Sequence, residues 1–163
     1  MASQIFTNNI GVTFLAFGGG LLFGLGTLYV LLQNGLLIGV VGGLAVGAGN
    51  GRPFFELVTA HGILELSCII VSGAAGLRLG WSIIDPGNRT RGEALRQEAR
   101  AAIEIVLGTA PWLVVAGLVE GFLTPSGTGL RTVLAVGLSL GAIYWGLVLW
   151  RGNPEPLRGE PAI

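Results

Sequence analysis

Long apolar stretches fill this chain, and the polar positions between them predict its elements. Residues 10–32 are apolar throughout and predict a first membrane-spanning helix. Gly20 and Gly24 stand four apart on it, with Thr27 one turn further along that face. Gln33-Asn34-Gly35 carries a turn signal. Glycine then recurs at Gly35, Gly39, Gly43, Gly47 and Gly51. That spacing lays a groove along one helix face, where a neighbouring backbone can come close. The stretch rises only about 24 Å at 1.5 Å per residue, so it either spans as a short helix or dips in and returns.

Pro53 opens a third helix that runs to about Ile84 and ends at Asp85-Pro86-Gly87-Asn88. Thr90 and Glu93 match a capping box, which starts a new helix near Arg91. Its first turns are amphipathic, with Arg91, Arg96 and Arg100 among Glu93, Glu98 and alanines. It continues apolar over 103–123, where Pro111 is expected to kink it. Residues 124–129 form a tight loop. Residues 130–150 make the last spanning helix, with Gly137 and Gly141 in four-residue spacing. Residues 152–163, rich in Pro, Gly and Glu, read as a disordered tail.

Composition fixes the class. The chain has 163 residues, 52% hydrophobic and only 11% charged, where a soluble domain carries about 25%. The expected fold is therefore an all-α polytopic integral membrane helical bundle of about five membrane helices, one of them short or re-entrant, with a cytoplasmic amphipathic juxtamembrane segment. Residues 1–151 form one transmembrane domain, and 152–163 a cytoplasmic tail. No positively charged region precedes the first apolar run, so no cleaved signal peptide is expected. The single cysteine, Cys68, rules out an intrachain disulfide.

Charge gives orientation. All nine basic residues are arginine. Arg89, Arg91, Arg96 and Arg100 cluster in the 85–100 loop, which places it in the cytoplasm, facing lipid or a partner. Arg151 and Arg158 put the C-terminus on the same side. With the glycine-groove helix spanning there are five crossings and an outside N-terminus; with it re-entrant there are four, and an inside one. Five is preferred.

The candidate chemistry lies on the third helix. Ionisable groups in hydrocarbon cost about 2.5 to 3.5 kcal/mol on insertion scales, so they face a protein interior or a wet cavity. His61, Glu65, Cys68 and Ser72 share one helical face, and Gly62, Gly73, Gly76 and Gly80 form a stripe beside it. The topology brings Glu56, His61, Glu65 and Glu120 to the outer half of the membrane, with Asn8 and Asn9 beside them in the five-crossing arrangement. Three readings follow. His61 and Glu65, with Glu120 as a third ligand, would make an intramembrane metal-dependent hydrolase, but one histidine and no HExxH is a thin basis. The carboxylates could line an ion or proton path. The plainest reading is a hydrogen-bonded network that fixes helix register. No catalytic residue, metal or cofactor is expected.

The motifs also form an ordered set: Phe6-Thr-Asn8-Asn9-Ile10, Gly24-x-Gly26-Thr27, Asn34-Gly35 with Gly39, His61-Gly62-x-x-Glu65, Gly73-x-Ala75-Gly76, Pro86-Gly87 and Glu120-Gly121-Phe122-x-Thr124-Pro125. In this order and spacing the chain resembles the stage II sporulation protein M family over about residues 6–151. The resemblance implies a polytopic membrane protein. The family's namesake scaffolds peptidoglycan-degrading enzymes at the septal membrane of endospore formers. Relatives usually carry a further membrane helix before the Asn-Asn motif; here five residues precede Phe6, which fits an outside N-terminus. The resemblance transfers no catalytic role. The expected function is thus a non-catalytic scaffold or assembly partner in the prokaryotic cell membrane, in cell-envelope remodelling. The alternative is a small-solute, ion or proton transport or channel-like module. Expected partners are membrane lipids, a second copy of the chain, and membrane or envelope proteins. Nothing points to nucleic acid.

Overall fold

Three glycines in a row, Gly18-Gly19-Gly20, break the first apolar stretch where no polar residue marks a turn. The computed structural model describes residues 2–123 and 129–152, among which every regular element is helical. The elements are α1 (Ala2–Gly18), a single 3-10 turn (Gly19–Leu21), α2 (Leu25–Gly47), α3 (Gly51–Ile84), α4 (Arg91–Leu123) and α5 (Leu130–Gly152). Residues 124–128 and 153–163, expected as loop and tail, lie outside the described residues.

Two expected boundaries move. The turn at Gln33-Asn34-Gly35 does not exist: α2 runs through it. Gln33 Nε2 donates to Tyr29 Oη one turn back at 3.0 Å, so its polar end is occupied along the helix. In an apolar medium an uninterrupted helix is the cheapest way to satisfy the backbone, and a turn signal tuned to water loses its force. The stretch 35–51 is therefore not a separate short or re-entrant helix; most of it is the second half of α2. The break falls at residues 19–24 instead, where Phe23 and Gly24 take the left-handed region with φ of 56° and 81°. Only glycine enters that region readily.

The other boundaries follow local chemistry. Gly49, at φ 76°, closes α2 while Ala48, Gly49 and Asn50 N–H groups cap its last carbonyls. Pro53 sits in the first turn of α3, where its missing donor costs nothing. At the head of α4 the Thr90 N–H donates to Glu93 Oε2 at 3.0 Å, and the Glu93 N–H to Thr90 Oγ1 at 3.3 Å, a complete capping box. Pro111 lies within α4.

Cross-helix contacts fix direction. Asn9 meets Glu65, and Ala16 lies against Gly76, so α1 runs parallel to α3. Leu31 touches Gly73, and Phe54 touches Gly42, so α2 is antiparallel. Arg78 pairs with Glu98 and Cys68 with the Thr109 carbonyl, so α4 is antiparallel too. Trp145 bonds Ser67, and Gly141 faces Ile63, so α5 is parallel. Successive helices thus alternate, with α3 in contact with all four others. Four of them, α2 to α5, contain stretches long and apolar enough to cross a membrane; α1 has 17 residues.

Candidate functional site: the polar and glycine seams of the central helix

Helical spacing puts Glu65, Cys68 and Ser72 on one side of α3, and all three are buried. Polar groups from three other helices meet Glu65 and Cys68. Asn9 of α1 donates its Nδ2 hydrogen to Glu65 Oε2. Thr13, one turn on and also buried, bonds the Asn9 carbonyl at 2.7 Å and steadies that turn. The Cys68 thiol points at the Thr109 carbonyl of α4, 3.9 Å away, and stands beside the Tyr144 hydroxyl of α5. Thr109 Oγ1 in turn bonds the Val106 carbonyl at 2.7 Å. Leu64, Leu113, Ala116 and Tyr144 surround this line with hydrocarbon, and Trp112 meets the Tyr144 ring edge-on at 5.5 Å. A second link ties α5 to α3, from Trp145 Nε1 to Ser67 Oγ at 2.9 Å.

A buried carboxyl group is tolerated only with polar partners. The Asn9 amide is a directional one, so this contact sets both the depth and the rotation of α1 against α3. Glu56 sits elsewhere, nine residues before Glu65, and pairs with Arg52 on its own exposed helix face at 3.0 Å. Asn8 is exposed. The side chains of His61 and Glu120 lie outside the described residues. Arg89, Arg91, Arg96 and Arg100 are all exposed at the far end. Among the described residues, no three His, Cys, Asp or Glu side chains stand together as metal ligands would.

The glycines differ in what a Cβ built on them would meet. On α3, a Cβ at Gly76 would come within 2.5 Å of the Ala16 carbonyl oxygen, and one at Gly80 would run into the Gly24 backbone. A Cβ at Gly20 would meet the Gly76 carbonyl, and one at Gly73 would touch the Leu31 side chain at 3.0 Å. The elbow between α1 and α2 is thus seated backbone-to-backbone on the α3 seam. Thr27 locks it: its Oγ1 bonds the Ala16 carbonyl at 2.7 Å across the elbow. A Cβ built on Gly24, Gly62 or Gly141 would meet a side chain only, that of Leu77, Val58 or Ile63, and Gly137 is buried in α5. Gly35, Gly39, Gly43 and Gly47 have nothing within 4 Å of a built Cβ. The groove expected on this stretch is open, because α2 turns a different face to α3. That face carries Thr27, Leu31 and Gly42, the last with the Phe54 ring against it.

Sequence reasoning passed over Thr13, Thr109, Ser67 and Tyr144. Thr13, Thr109 and Tyr144 were each a lone polar group in an apolar run, and Ser67 lies beside the face that Glu65 and Cys68 share. Thr13 had one usable signal, lying one turn beyond Asn9.

Seams of polar and small residues between long apolar helices define a polytopic membrane protein. The chain belongs to the stage II sporulation protein M family, whose model matches residues 1–125. It is also similar to an uncharacterized protein of Methanocaldococcus jannaschii, 28% identical over 127 residues, which cover 75% of this chain and 70% of that one. No solved structure matches it.

Proposed function

We propose that the chain is a non-catalytic membrane scaffold that gathers other membrane or envelope proteins, as the namesake of its family does for peptidoglycan-degrading enzymes. The observation that carries this reading is α2. Its most apolar stretch buries none of its residues against the rest of the chain. Along it runs the open stripe Gly35, Gly39, Gly43 and Gly47. Small residues repeated every fourth position suit the close approach of another helix, and lipid gains nothing from them. The arginine pattern supports a cytoplasmic 85–100 loop and C-terminus in a prokaryotic cell membrane.

The test is cross-linking in native membranes. A Gly43→Cys variant is expected to cross-link to an envelope enzyme or a second copy, identified by mass spectrometry. Gly108→Cys, on an open position of α4, serves as the control. Identical patterns at both positions would sink the scaffold reading.

Transport is the second reading, and it rests on Glu65, a carboxyl group only 2% exposed in the apolar part of α3. Proton or ion flux in proteoliposomes, lost in Glu65→Gln, would put transport in the scaffold's place. An ion-tight vesicle removes it.

A further inference from the structure

A cavity of about 370 Å³ opens at the Ile84 end of the bundle. Leu77 and Trp81 give it an apolar wall; Arg78, Arg89, Asp85 and Glu98 supply charge of both signs. Its level in the membrane follows from its neighbours. Leu77 lies 3.4 Å from a Cβ built on Gly24, so the cavity adjoins the α1–α2 elbow. That elbow exposes Leu21, Leu22 and Phe23, and no charged residue precedes Arg52 in the chain. Its N–H groups at Leu22, Gly24 and Leu25 are bonded within the turn, as a segment in contact with lipid requires. Trp81, 61% exposed, belongs by chemistry at the headgroup boundary. The charged ring therefore stands where hydrocarbon gives way to headgroups.

The charges are only partly spent on one another. Arg78 Nη2 pairs with Glu98 Oε2 at 2.8 Å. Arg89 donates from Nη1 to Gln97 Oε1 at 2.6 Å and from Nε to the Pro86 carbonyl at 3.3 Å. Asp85 Oδ1 accepts the Gly87 N–H at 3.3 Å. A guanidinium has five donors, so both arginines keep hydrogens for a ligand, and both carboxylates keep lone pairs. A purely anionic headgroup would satisfy the arginines but face two carboxylates. A headgroup with a phosphate and a primary ammonium answers both signs. We propose that this cavity seats the phosphoethanolamine headgroup of a membrane lipid. Its phosphate lies between Arg78 and Arg89, its ammonium is directed to Asp85 and Glu98, and its first methylenes rest on Leu77 and Trp81.

The full chain in mild detergent, offered equal amounts of phosphatidylethanolamine, phosphatidylcholine and phosphatidylglycerol, tests this by native mass spectrometry. Phosphatidylethanolamine is expected to be retained about tenfold over phosphatidylcholine, the discrimination of one charge-assisted hydrogen bond. The preference should collapse in Asp85→Asn, which faces the ammonium, while Arg89→Gln, which faces the phosphate, should lower retention of both zwitterionic lipids; both are exposed loop positions. If Arg89→Gln loses its helical circular dichroism, Asp85→Asn alone decides. Equal retention of the two zwitterionic lipids overturns the proposal. So does a preference for phosphatidylglycerol, or one that survives in Asp85→Asn. Inorganic phosphate or soluble phosphoethanolamine binding as tightly as the lipid would assign the cavity to a free phosphate ligand and overturn the lipid assignment.

Discussion

Two glycine stripes of similar spacing meet opposite fates in this bundle. Gly73, Gly76 and Gly80 on α3 receive a neighbouring side chain or the backbone of the α1–α2 elbow. Gly35, Gly39, Gly43 and Gly47 on α2 face open space. The helices differ in the same sense: 61% of the apolar stretch of α3 is buried, and none of that of α2. The comparison teaches that small-residue spacing describes a surface, not a contact. A stripe makes close approach affordable; whether something approaches depends on which face the helix turns inward. On α2 that face is set by Thr27 and Leu31, and the stripe points elsewhere.

The comparison is most easily broken at Gly76. Gly76→Leu would force a side chain into the Ala16 carbonyl and Thr27 Oγ1. Overpacking of this kind costs about 3 kcal/mol or more. Thermal unfolding of the purified chain is expected to show the loss, or no folded protein at all. A Gly76→Leu variant as stable as the parent would mean that the elbow does not seat on α3.

Thr27→Val keeps the shape of the side chain and deletes the bond to the Ala16 carbonyl. It should destabilise the elbow by about 1 kcal/mol, measured by the same unfolding transition, with faster hydrogen exchange at residues 19–24. Exchange unchanged there would show that the glycines hold the elbow without the hydroxyl.

Asn9→Leu tests the polar seam beside the glycine one. Hydrogen bonds between membrane helices average about 0.6 kcal/mol and rarely exceed 1.7. A loss in that range is expected, and Asn9→Leu combined with Glu65→Leu should lose less than the sum of the two single changes. Strict additivity would deny the contact.

The smallest effect belongs to the open stripe. Gly43→Leu should change the stability of the isolated chain by no more than about 0.5 kcal/mol. Its effect should appear in association, as lost cross-linking through α2. A stability loss comparable to that of Gly76→Leu would erase the difference between the two stripes.

Much of the fold was legible from residue order. The capping box at Thr90 and Glu93 and the stop at Asp85-Pro86-Gly87-Asn88 are local, and local chemistry decided them. The break near Gly20 was less legible, because glycine runs in apolar helices signal packing and bending alike. Gln33-Asn34-Gly35 misled for a related reason: a turn needs water to solvate its backbone, and this segment is flanked by hydrocarbon. In the candidate site, the face shared by Glu65, Cys68 and Ser72 could be read from helical period. The partners on other helices, Asn9 apart, could not, since a lone threonine in an apolar run carries no address.

The sequence by itself determined that this chain is a bundle of apolar helices, that α3 carries a polar face beside a glycine face, and that positive charge gathers between α3 and α4. Those properties follow from composition and from a period of 3.6, which each segment carries alone. Tertiary structure decided which seam is filled. Burying Thr27 against the Ala16 carbonyl and bonding the half-buried Asn9 to Glu65 fixes the rotation of α1 and α2 about α3. Rotation is a relation between helices, and no single segment encodes it. It is what closes the glycine seam of α3 and leaves that of α2 open.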